Sequence, residues 1–222
     1  MQTECLDSKA QTGHHQDMRV FIFSLCFMVA GCSAQGPETV EAEINHPVII
    51  LETSAGSMEI TVYPDKAPIS AGDFLRYVDD KLYDAQGFYR TVHAQNDPLN
   101  MGMSLIQGGR LDKEIIFGPI AHELTTNTGI SNADGAVAIA RLEPGSGSAA
   151  YFFINIGNND FLDTGGPRNP DGQGYATFGR VTKGLEVARK IQKMETDASS
   201  DDPVTQGQTL KTPVIITRAY RK

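Results

Sequence analysis

The fold of this chain is constrained most by its many short stretches in which apolar and polar residues alternate. In the clearest of them Met58, Ile60 and Val62 alternate with Glu59 and Thr61, which is typical of a strand with one buried face. Similar runs recur along the chain, separated by loops rich in Gly, Asn and Pro. We therefore predict strands over about 48–51, 57–63, 87–92, 104–107, 136–140, 151–156, 175–181 and 214–220.

Only two segments carry a helical repeat. Apolar residues recur at steps of three and four between 67 and 82, where Pro68 suits the first turn of a helix, and again between about 184 and 194. Strands and helices do not alternate, so a parallel sheet is not expected. The pattern favours a mainly β fold, an antiparallel barrel or sandwich with helices at its ends, in one domain over 47–222.

The one long apolar run, residues 20–29, is too short to cross a bilayer, which takes roughly 20 residues as a helix. It fits the core of a signal peptide over 1–31, in which residues 1–17 are either a mis-called start or an extension. Residues 29–32, Val-Ala-Gly-Cys, resemble the bacterial lipobox, so Cys32 is predicted to be lipidated. The alternative is a plain secretory signal cleaved after a small residue, which gives a soluble periplasmic or secreted protein.

We predict that residues 32–46, which are polar and acidic, form a linker between the lipid and the folded domain. A lipobox cysteine carries at least two acyl chains, and two chains suffice for stable anchoring to a membrane. The expected location is therefore the cell envelope, lipid-anchored on the periplasmic side. The outer membrane is favoured because Ser33 stands where an aspartate often retains lipoproteins at the inner membrane.

Charge and motif content exclude several other classes. The formal net charge of -8 comes from scattered acidic residues, and the sequence has no Lys/Arg cluster, so we expect no nucleic-acid partner. His46, His93 and His122 lie far apart and lack the spacing of zinc ligands. The sequence also lacks a phosphate-binding loop and a nucleophile elbow. No metal ion and no cofactor is predicted.

Short motifs follow one another in a fixed order along the chain. They are Thr53-Ser54-Ala55-Gly56, Glu59-Ile60, Lys66-Ala67-Pro68-Ile69-Ser70, Phe74, Phe88-Tyr89-Arg90, Ile106-Gln107-Gly108-Gly109, Ala138-Ile139-Ala140-Arg141, Tyr151-Phe152-Phe153-Ile154, Phe161-Leu162-Asp163 and Phe178-Gly179-Arg180-Val181. In this order they resemble a bacterial cyclophilin, over nearly all of residues 47–220. The resemblance implies a closed eight-stranded antiparallel β-barrel capped by two α-helices. It also implies a monomeric peptidyl-prolyl cis/trans isomerase, whose partners are proline-containing polypeptides and which here would assist the folding of exported proteins.

The resemblance further implies which residues act. Rotation about a peptide bond meets a barrier of roughly 18–20 kcal/mol. Arg90 is predicted to be the catalytic residue, because its guanidinium can donate hydrogen bonds to the twisted amide. Gln107 is predicted to hold Arg90 and the substrate backbone, and Phe153 to form the floor of a proline pocket. The other substrate-binding residues implied are Phe88, Leu105, Ala140, Arg141, Tyr151, Phe161, Leu162 and Tyr175.

The chain departs from the cyclophilin pattern near this site. Residues 93–103 form an insertion between Arg90 and Gln107, and Ser104 or Met103 replaces the usual pocket phenylalanine. Other pocket positions also hold residue types that differ from the family. These departures leave a second function open, a non-catalytic module of the cell envelope that binds proline-containing segments.

Overall fold

The computed structural model describes residues 45–197 and 205–222, in which one antiparallel β-sheet closes into a barrel. Its strands are β1 (Val48–Thr53), β2 (Gly56–Val62), β3 (Gly87–Val92), β4 (Leu105–Gly109), β5 (Ala136–Ile139), β6 (Tyr151–Asn155), β7 (Thr177–Lys183), β8 (Thr196–Asp197) and β9 (Thr209–Arg221). Eight of them follow one another around the barrel in the order β1-β2-β7-β5-β6-β4-β3-β9, and β9 pairs back onto β1. The predicted closed eight-stranded antiparallel barrel is confirmed. The short β8, which pairs with β9, was not predicted because two residues carry no repeat.

The helices of the described residues are α1 (Pro68–Asp79), α2 (Thr125–Thr128) and α3 (Leu185–Gln192), with a 3-10 turn at Asp160–Leu162. The carboxylate of Glu123 accepts the backbone N–H groups of Ile69 and Ser70 at 3.1 and 2.8 Å, so a side chain distant in sequence caps α1. The two predicted helices are confirmed as α1 and α3, each a few residues shorter than predicted. The helix α2 and the 3-10 turn are too short to show a repeat in the sequence. None of these helices combines the length and apolar character that a bilayer span requires.

The barrel interior holds the main apolar core, which we call the inner cluster. Its largest members include Phe74 from α1, Phe88 from β3, Phe152 from β6 and Phe178 from β7, all without exposed surface. The ring centroid of Phe152 lies 5.5 Å from that of Phe74 and 5.7 Å from that of Phe88, both edge to face. Aromatic pairs in this arrangement contribute beyond the apolar area that they bury. Ile191 of α3 joins the same cluster, so both long helices pack against the barrel.

A second apolar group, which we call the outer cluster, lies on the outer face of the same sheet. Phe153 directly follows Phe152 on β6 and faces the opposite way, as neighbouring residues of a strand do. The outer cluster consists of Val92, Met103, Leu105, Ala138, Phe153 and Leu162, with Ala140, Phe161 and Tyr175 at its edge. Strands supply its floor and loops supply its walls, since Met103 precedes β4 and Leu162 belongs to the 3-10 turn.

The predicted signal peptide over 1–31, the lipidation site Cys32 and nearly all of the predicted linker lie outside the described residues.

Candidate active site

Strand register places three of the predicted residues, together with Ala138, in one row across the sheet. Arg90 on β3 is paired with Gln107 on β4, Gln107 with Phe153 on β6, and Phe153 with Ala138 on β5. Residues directly opposite one another in neighbouring strands present their side chains on the same face. The row therefore joins a cationic side chain, an amide and an apolar floor on the outer face of the barrel.

A β-bulge at Tyr89 decides which side chains of β3 reach this face. Phe88 is opposite Gly108 and Arg90 is opposite Gln107, so Tyr89 is the extra residue and the register shifts there. A bulge of this kind changes the face to which the following side chains point.

The bulge also corrects one prediction. The side chain of Phe88 is fully buried in the inner cluster and packs on the ring of Phe152, so it cannot contact a substrate on the outer face. The expectation that Phe88 binds substrate is wrong, because the alternation that would put it on the same side as Arg90 is interrupted at Tyr89.

Two glutamine side chains hold the guanidinium of Arg90. Its Nη1 donates to Oε1 of Gln107 at 2.7 Å. Its Nε and Nη2 both donate to Oε1 of Gln208, at 2.8 and 2.6 Å. Gln208 lies just before β9, the other strand paired with β3, and has no exposed surface. The guanidinium plane is therefore fixed from both neighbouring strands.

The amide of Gln107 has a defined orientation. Its Oε1 accepts from Arg90, and its Nε2 donates to the hydroxyl oxygen of Tyr89 at 2.8 Å. Burial raises the pKa of the Tyr89 hydroxyl to about 12, against smaller lowering effects of the Gln107 hydrogen bond and the Arg90 charge. Tyr89 therefore stays protonated at any ordinary pH, and no member of this group changes its charge near neutrality.

The outer cluster brings together six of the predicted substrate-binding residues. Leu105, Phe153 and Leu162 are almost fully buried within it, and Phe153 meets Tyr175 edge to face at 5.3 Å between ring centroids. The half-buried residues at the edge are Ala140, Phe161 and Tyr175. An apolar pocket floor beside a fixed cation is the arrangement that a small apolar ring next to a carbonyl group would fit.

Met103, rather than Ser104, supplies the apolar side chain where the family has phenylalanine. Met103 is a buried member of the outer cluster. The hydroxyl of Ser104 instead accepts a hydrogen bond from Nε2 of Gln192 at 2.5 Å. The open choice between these two positions is thus resolved by which side chain packs with Leu105 and Phe153.

Two other predicted residues, Arg141 and Tyr151, are not members of the outer cluster. The guanidinium of Arg141 binds both carboxylate oxygens of Asp171 at 2.9 Å and the carbonyl oxygen of Gly174, and its side chain is only 1% exposed. The hydrogen bond from Arg141 holds the pKa of the Asp171 carboxyl below its usual value. Tyr151, at the start of β6, packs against the inner cluster. The structure therefore places Tyr151 away from the outer cluster, whereas the Arg141 guanidinium lies over the ring of Tyr175 at its edge, 5.4 Å from the centroid.

The insertion over 93–103 is folded around a buried carboxylate. Asp97 accepts the backbone N–H groups of Leu99, Met101 and Met103 and pairs with Nη1 of Arg168 at 3.1 Å. Burial raises the pKa of the Asp97 carboxyl, but the backbone donors and the Arg168 charge outweigh it and keep this pKa below its usual value. The insertion is thereby tied to the loop that leads to Tyr175.

Some members of the site were not predicted. Val92 and Ala138 belong to the outer cluster, and their pairing with predicted residues follows from strand alternation, so that signal was present. Gln208 and its neighbour in space, Asn96, carry no sequence signal, because their proximity to Arg90 depends on how β9 packs beside β3. Among the described residues, no group of three or more His, Cys, Asp and Glu side chains could hold a metal ion.

Comparison with known proteins adds an independent finding. A family model described as cyclophilin type peptidyl-prolyl cis-trans isomerase/CLD matches residues 48–220. The peptidyl-prolyl cis-trans isomerase A of Dickeya dadantii is 32% identical over 153 residues, which covers 67% of this chain and 73% of that protein. The peptidyl-prolyl cis-trans isomerase B of Escherichia coli is 31% identical over 156 residues, 68% of this chain and 88% of that protein. A crystal structure of a cyclophilin type isomerase from Cryptosporidium parvum has the same fold, with a TM-score of 0.60 at 15% identity, covering 80% of this chain and 98% of that chain.

Proposed function

The chain belongs to the cyclophilin-type peptidyl-prolyl cis-trans isomerase family, and from this premise we propose that Arg90 and the outer cluster catalyse rotation of X-Pro bonds in exported proteins. The chain is an isomerase of this class, and its substrates are proline-containing polypeptides. The observation that carries the proposed mechanism is the row of Arg90, Gln107 and Phe153, which sets a fixed cation beside an apolar floor.

Isomerisation of an X-Pro bond requires few groups from the protein. Cis and trans forms of an X-Pro bond are close in energy, yet they exchange over tens to hundreds of seconds unaided. In the transition state the amide is twisted and the proline nitrogen regains its lone pair, so donors that favour this state lower the barrier. No covalent bond is made or broken, and the reaction requires no group beyond the side chains described.

In the proposed mechanism Arg90 supplies the stabilising charge. Its guanidinium donates to the carbonyl oxygen of the bound peptide and toward the proline nitrogen as conjugation is lost. Gln107 and Gln208 accept hydrogen bonds from its Nε, Nη1 and Nη2 atoms, which fixes its plane before the peptide arrives. Such preorganised donors stabilise a transition state without the cost of reorientation during the reaction.

The outer cluster would hold the proline ring. Phe153 lies next to Gln107 in the row, and Leu105 and Leu162 pack around it. Proline is small and apolar, so contact with this surface supplies binding energy while the cation faces the amide. Phe161 and Tyr175, both half-buried, form the edge where the flanking peptide residues would pass.

The proposal is tested by measuring exchange between cis and trans forms of a short Ala-Pro-Phe peptide, either by a protease-coupled assay or by NMR exchange spectroscopy. The full chain is expected to accelerate the exchange catalytically, and a matched peptide without proline should show no saturable binding. A rate equal to the spontaneous one at micromolar protein would reject the proposal.

One structural feature favours a second function, binding of proline-containing segments without useful catalysis. The insertion over 93–103 adjoins the outer cluster through Met103 and presents Leu99 with 55% of its surface exposed. A chain that acts in this way would bind the same peptide in a titration and leave its exchange rate unchanged. Measuring binding and exchange on one sample therefore separates the two functions.

We place the enzyme in the cell envelope, attached through Cys32. The support is the sequence alone: the apolar run at 20–29 followed by Val-Ala-Gly-Cys at 29–32. Expression of the full chain with a labelled fatty acid should label the wild-type protein and leave Cys32→Ser unlabelled. Label in both proteins, or in neither, would reject the proposal that Cys32 is lipidated.

The oligomeric state is a separate question: sedimentation of the barrel domain tests whether it is a monomer.

A further inference from the structure

Gln208 forms hydrogen bonds to Arg90 through its side chain and to the next residue of the same strand through its backbone. Its Oε1 accepts two N–H groups of the guanidinium, and its backbone carbonyl oxygen accepts the N–H of Thr91 at 2.8 Å. Its backbone N–H donates to the carbonyl oxygen of Thr205 at 3.0 Å. The residue is completely buried, so every polar group that it brings to this position is engaged in a hydrogen bond.

The insertion over 93–103 completes the hydrogen bonding of Gln208. Its Nε2 donates to the backbone carbonyl oxygen of Asn96 at 2.7 Å. The side chain of Asn96 in turn donates to the carbonyl oxygens of Gly207, at 2.9 Å, and Thr91, at 3.3 Å, and accepts the N–H of His93 at 2.8 Å. Asn96 thus joins the insertion to the strand of Arg90 and to the turn that carries Gln208.

The insertion is itself anchored at both ends. Near its start Nε2 of Gln192 donates to the carbonyl oxygen of Val92 at 2.9 Å, and near its end the same atom donates to the hydroxyl of Ser104. In between, buried Asp97 accepts three backbone N–H groups and the Arg168 charge. An inserted loop built in this way can hold a neighbouring side chain in one position.

We propose that Gln208 is a positioning residue for Arg90 and that the insertion, through Asn96, holds Gln208 in place. The proposal rests on the function proposed above, in which Arg90 stabilises the twisted amide. The insertion is then part of the apparatus that orients the catalytic group.

The physical reason lies in the length of the arginine side chain. Four rotatable bonds separate the guanidinium from the backbone, so its plane is set by its acceptors. One oxygen that receives both Nε–H and Nη2–H fixes that plane, whereas the single Nη1 contact to Gln107 allows rotation about that contact. A misplacement of about 1 Å at a reacting group can cost roughly 100-fold in rate.

The first experiment replaces the acceptor and keeps the size of the side chain. Gln208→Met is expected to lower kcat roughly 10- to 100-fold while KM changes by less than about twofold, because substrate contacts remain and orientation is lost. Gln206→Met, an exposed glutamine in the same turn, is the matched control and should behave as wild type. Wild-type kcat in Gln208→Met would overturn the proposal.

A second readout observes the guanidinium directly. In 15N-labelled protein, solvent exchange of the Arg90 Nε–H should be at least roughly tenfold faster in Gln208→Met than in wild type, since a buried acceptor has been removed. Unchanged exchange would contradict the positioning role even if activity fell. This measurement needs no substrate, so it stands if the proposed isomerase mechanism itself fails.

Two further variants keep the test open if Gln208→Met folds poorly. Asn96→Ala should lower kcat in the same direction by a smaller factor, and Gln95→Ala, its exposed neighbour in the insertion, should not. In an Arg90→Ala background, Gln208→Met should leave the residual rate unchanged. An equal loss in both backgrounds would show that Gln208 acts on the fold and not through Arg90.

Discussion

Phe152 and Phe153 are consecutive residues of one strand, yet they belong to two apolar groups of different construction. Phe152 lies in the inner cluster, where strands surround it and α1 contributes Phe74. Phe153 lies in the outer cluster, where strands form only the floor and the walls come from loops. The inner cluster has only to pack well, whereas the outer one lies beside Arg90 and, in the proposed function, admits the peptide. If the proposed function holds, the two faces of one sheet separate stability from chemistry.

The largest expected effect tests this separation on the inner face. Phe152→Ala should lower the free energy of unfolding by about 3–5 kcal/mol, because it leaves a cavity among rings that cannot close on it. Phe153→Ala should cost less stability, since loops can move into the space, and should raise KM by at least roughly tenfold through loss of pocket contact. Urea unfolding and peptide kinetics measure the pair. Equal stability losses would mean that the two clusters form one core.

Removal of the cation should act on chemistry and spare the fold. Arg90→Ala is expected to lower kcat roughly 100- to 1000-fold, the usual cost of losing a transition-state donor. The thermal midpoint should change by only about 2–4 °C, because one buried hydrogen-bonding partner is left unsatisfied. Arg218→Ala, an exposed arginine stacked on Tyr220, serves as the control. Near-wild-type turnover in Arg90→Ala would remove the basis of the mechanism.

A smaller effect is expected at Asp97, which holds the insertion that carries Met103 into the outer cluster. Asp97→Asn should cost about 1–3 kcal/mol, because the buried pair with Arg168 loses its charge. The lowered pKa of Asp97 means that its ionised form stabilises the folded state. This stabilisation is complete above the ordinary carboxyl pKa of about 3.9 and is lost as the pH falls through the lowered pKa. The variant should therefore lose less stability between about pH 5 and pH 2 than wild type.

Chemical denaturation at several pH values measures that difference, with Asp160→Asn, an exposed carboxylate, as the control. An identical acid dependence in wild type and Asp97→Asn would show that the pair does not support the loop.

The smallest expected effect is that of pH on the rate of isomerisation. Between about pH 6 and pH 9 kcat/KM should vary by less than about twofold, because Arg90 stays charged and the Tyr89 hydroxyl has a pKa of about 12. The measurement is a pH series of peptide exchange in a constant-ionic-strength buffer. A bell-shaped profile traced to the enzyme would indicate that an acid or base takes part in catalysis. It would contradict the proposal that Arg90 acts through a fixed charge.

The sequence predicted most of the inner face and much of the outer one, for physical reasons that differ. Alternation identifies strands such as β2, and helical spacing identifies α1, because each element buries one face. The ordered motifs, through their resemblance to cyclophilins, led to Arg90, Gln107 and Phe153. The expectation taken from the resemblance failed at Phe88, because a bulge adds one residue to β3 and nothing in the side chains of that strand marks it.

Other parts depend on contacts between distant segments. Gln208 meets Arg90 only because β9 lies beside β3, and Glu123 caps α1 from more than fifty residues away. Neither residue stands in a local pattern that would distinguish it from a solvated surface side chain. Arg141 likewise has the residue type of a binding group, while its guanidinium is taken up by Asp171.

The closure of the barrel has a practical consequence. Strand β1 pairs with residues 216–221 of β9, and β6, which carries Phe153, stands halfway around the ring from β1. A spacer joined ahead of Val48 or behind Arg221 would meet the barrel where Ile49 is paired with Arg221, whereas Arg90 is paired with Thr209 at the opposite end of β9. We therefore expect enzyme coupled to beads by either end of the barrel domain to keep its turnover. We also expect a circular permutant, with these two ends joined and new termini in an exposed loop, to fold.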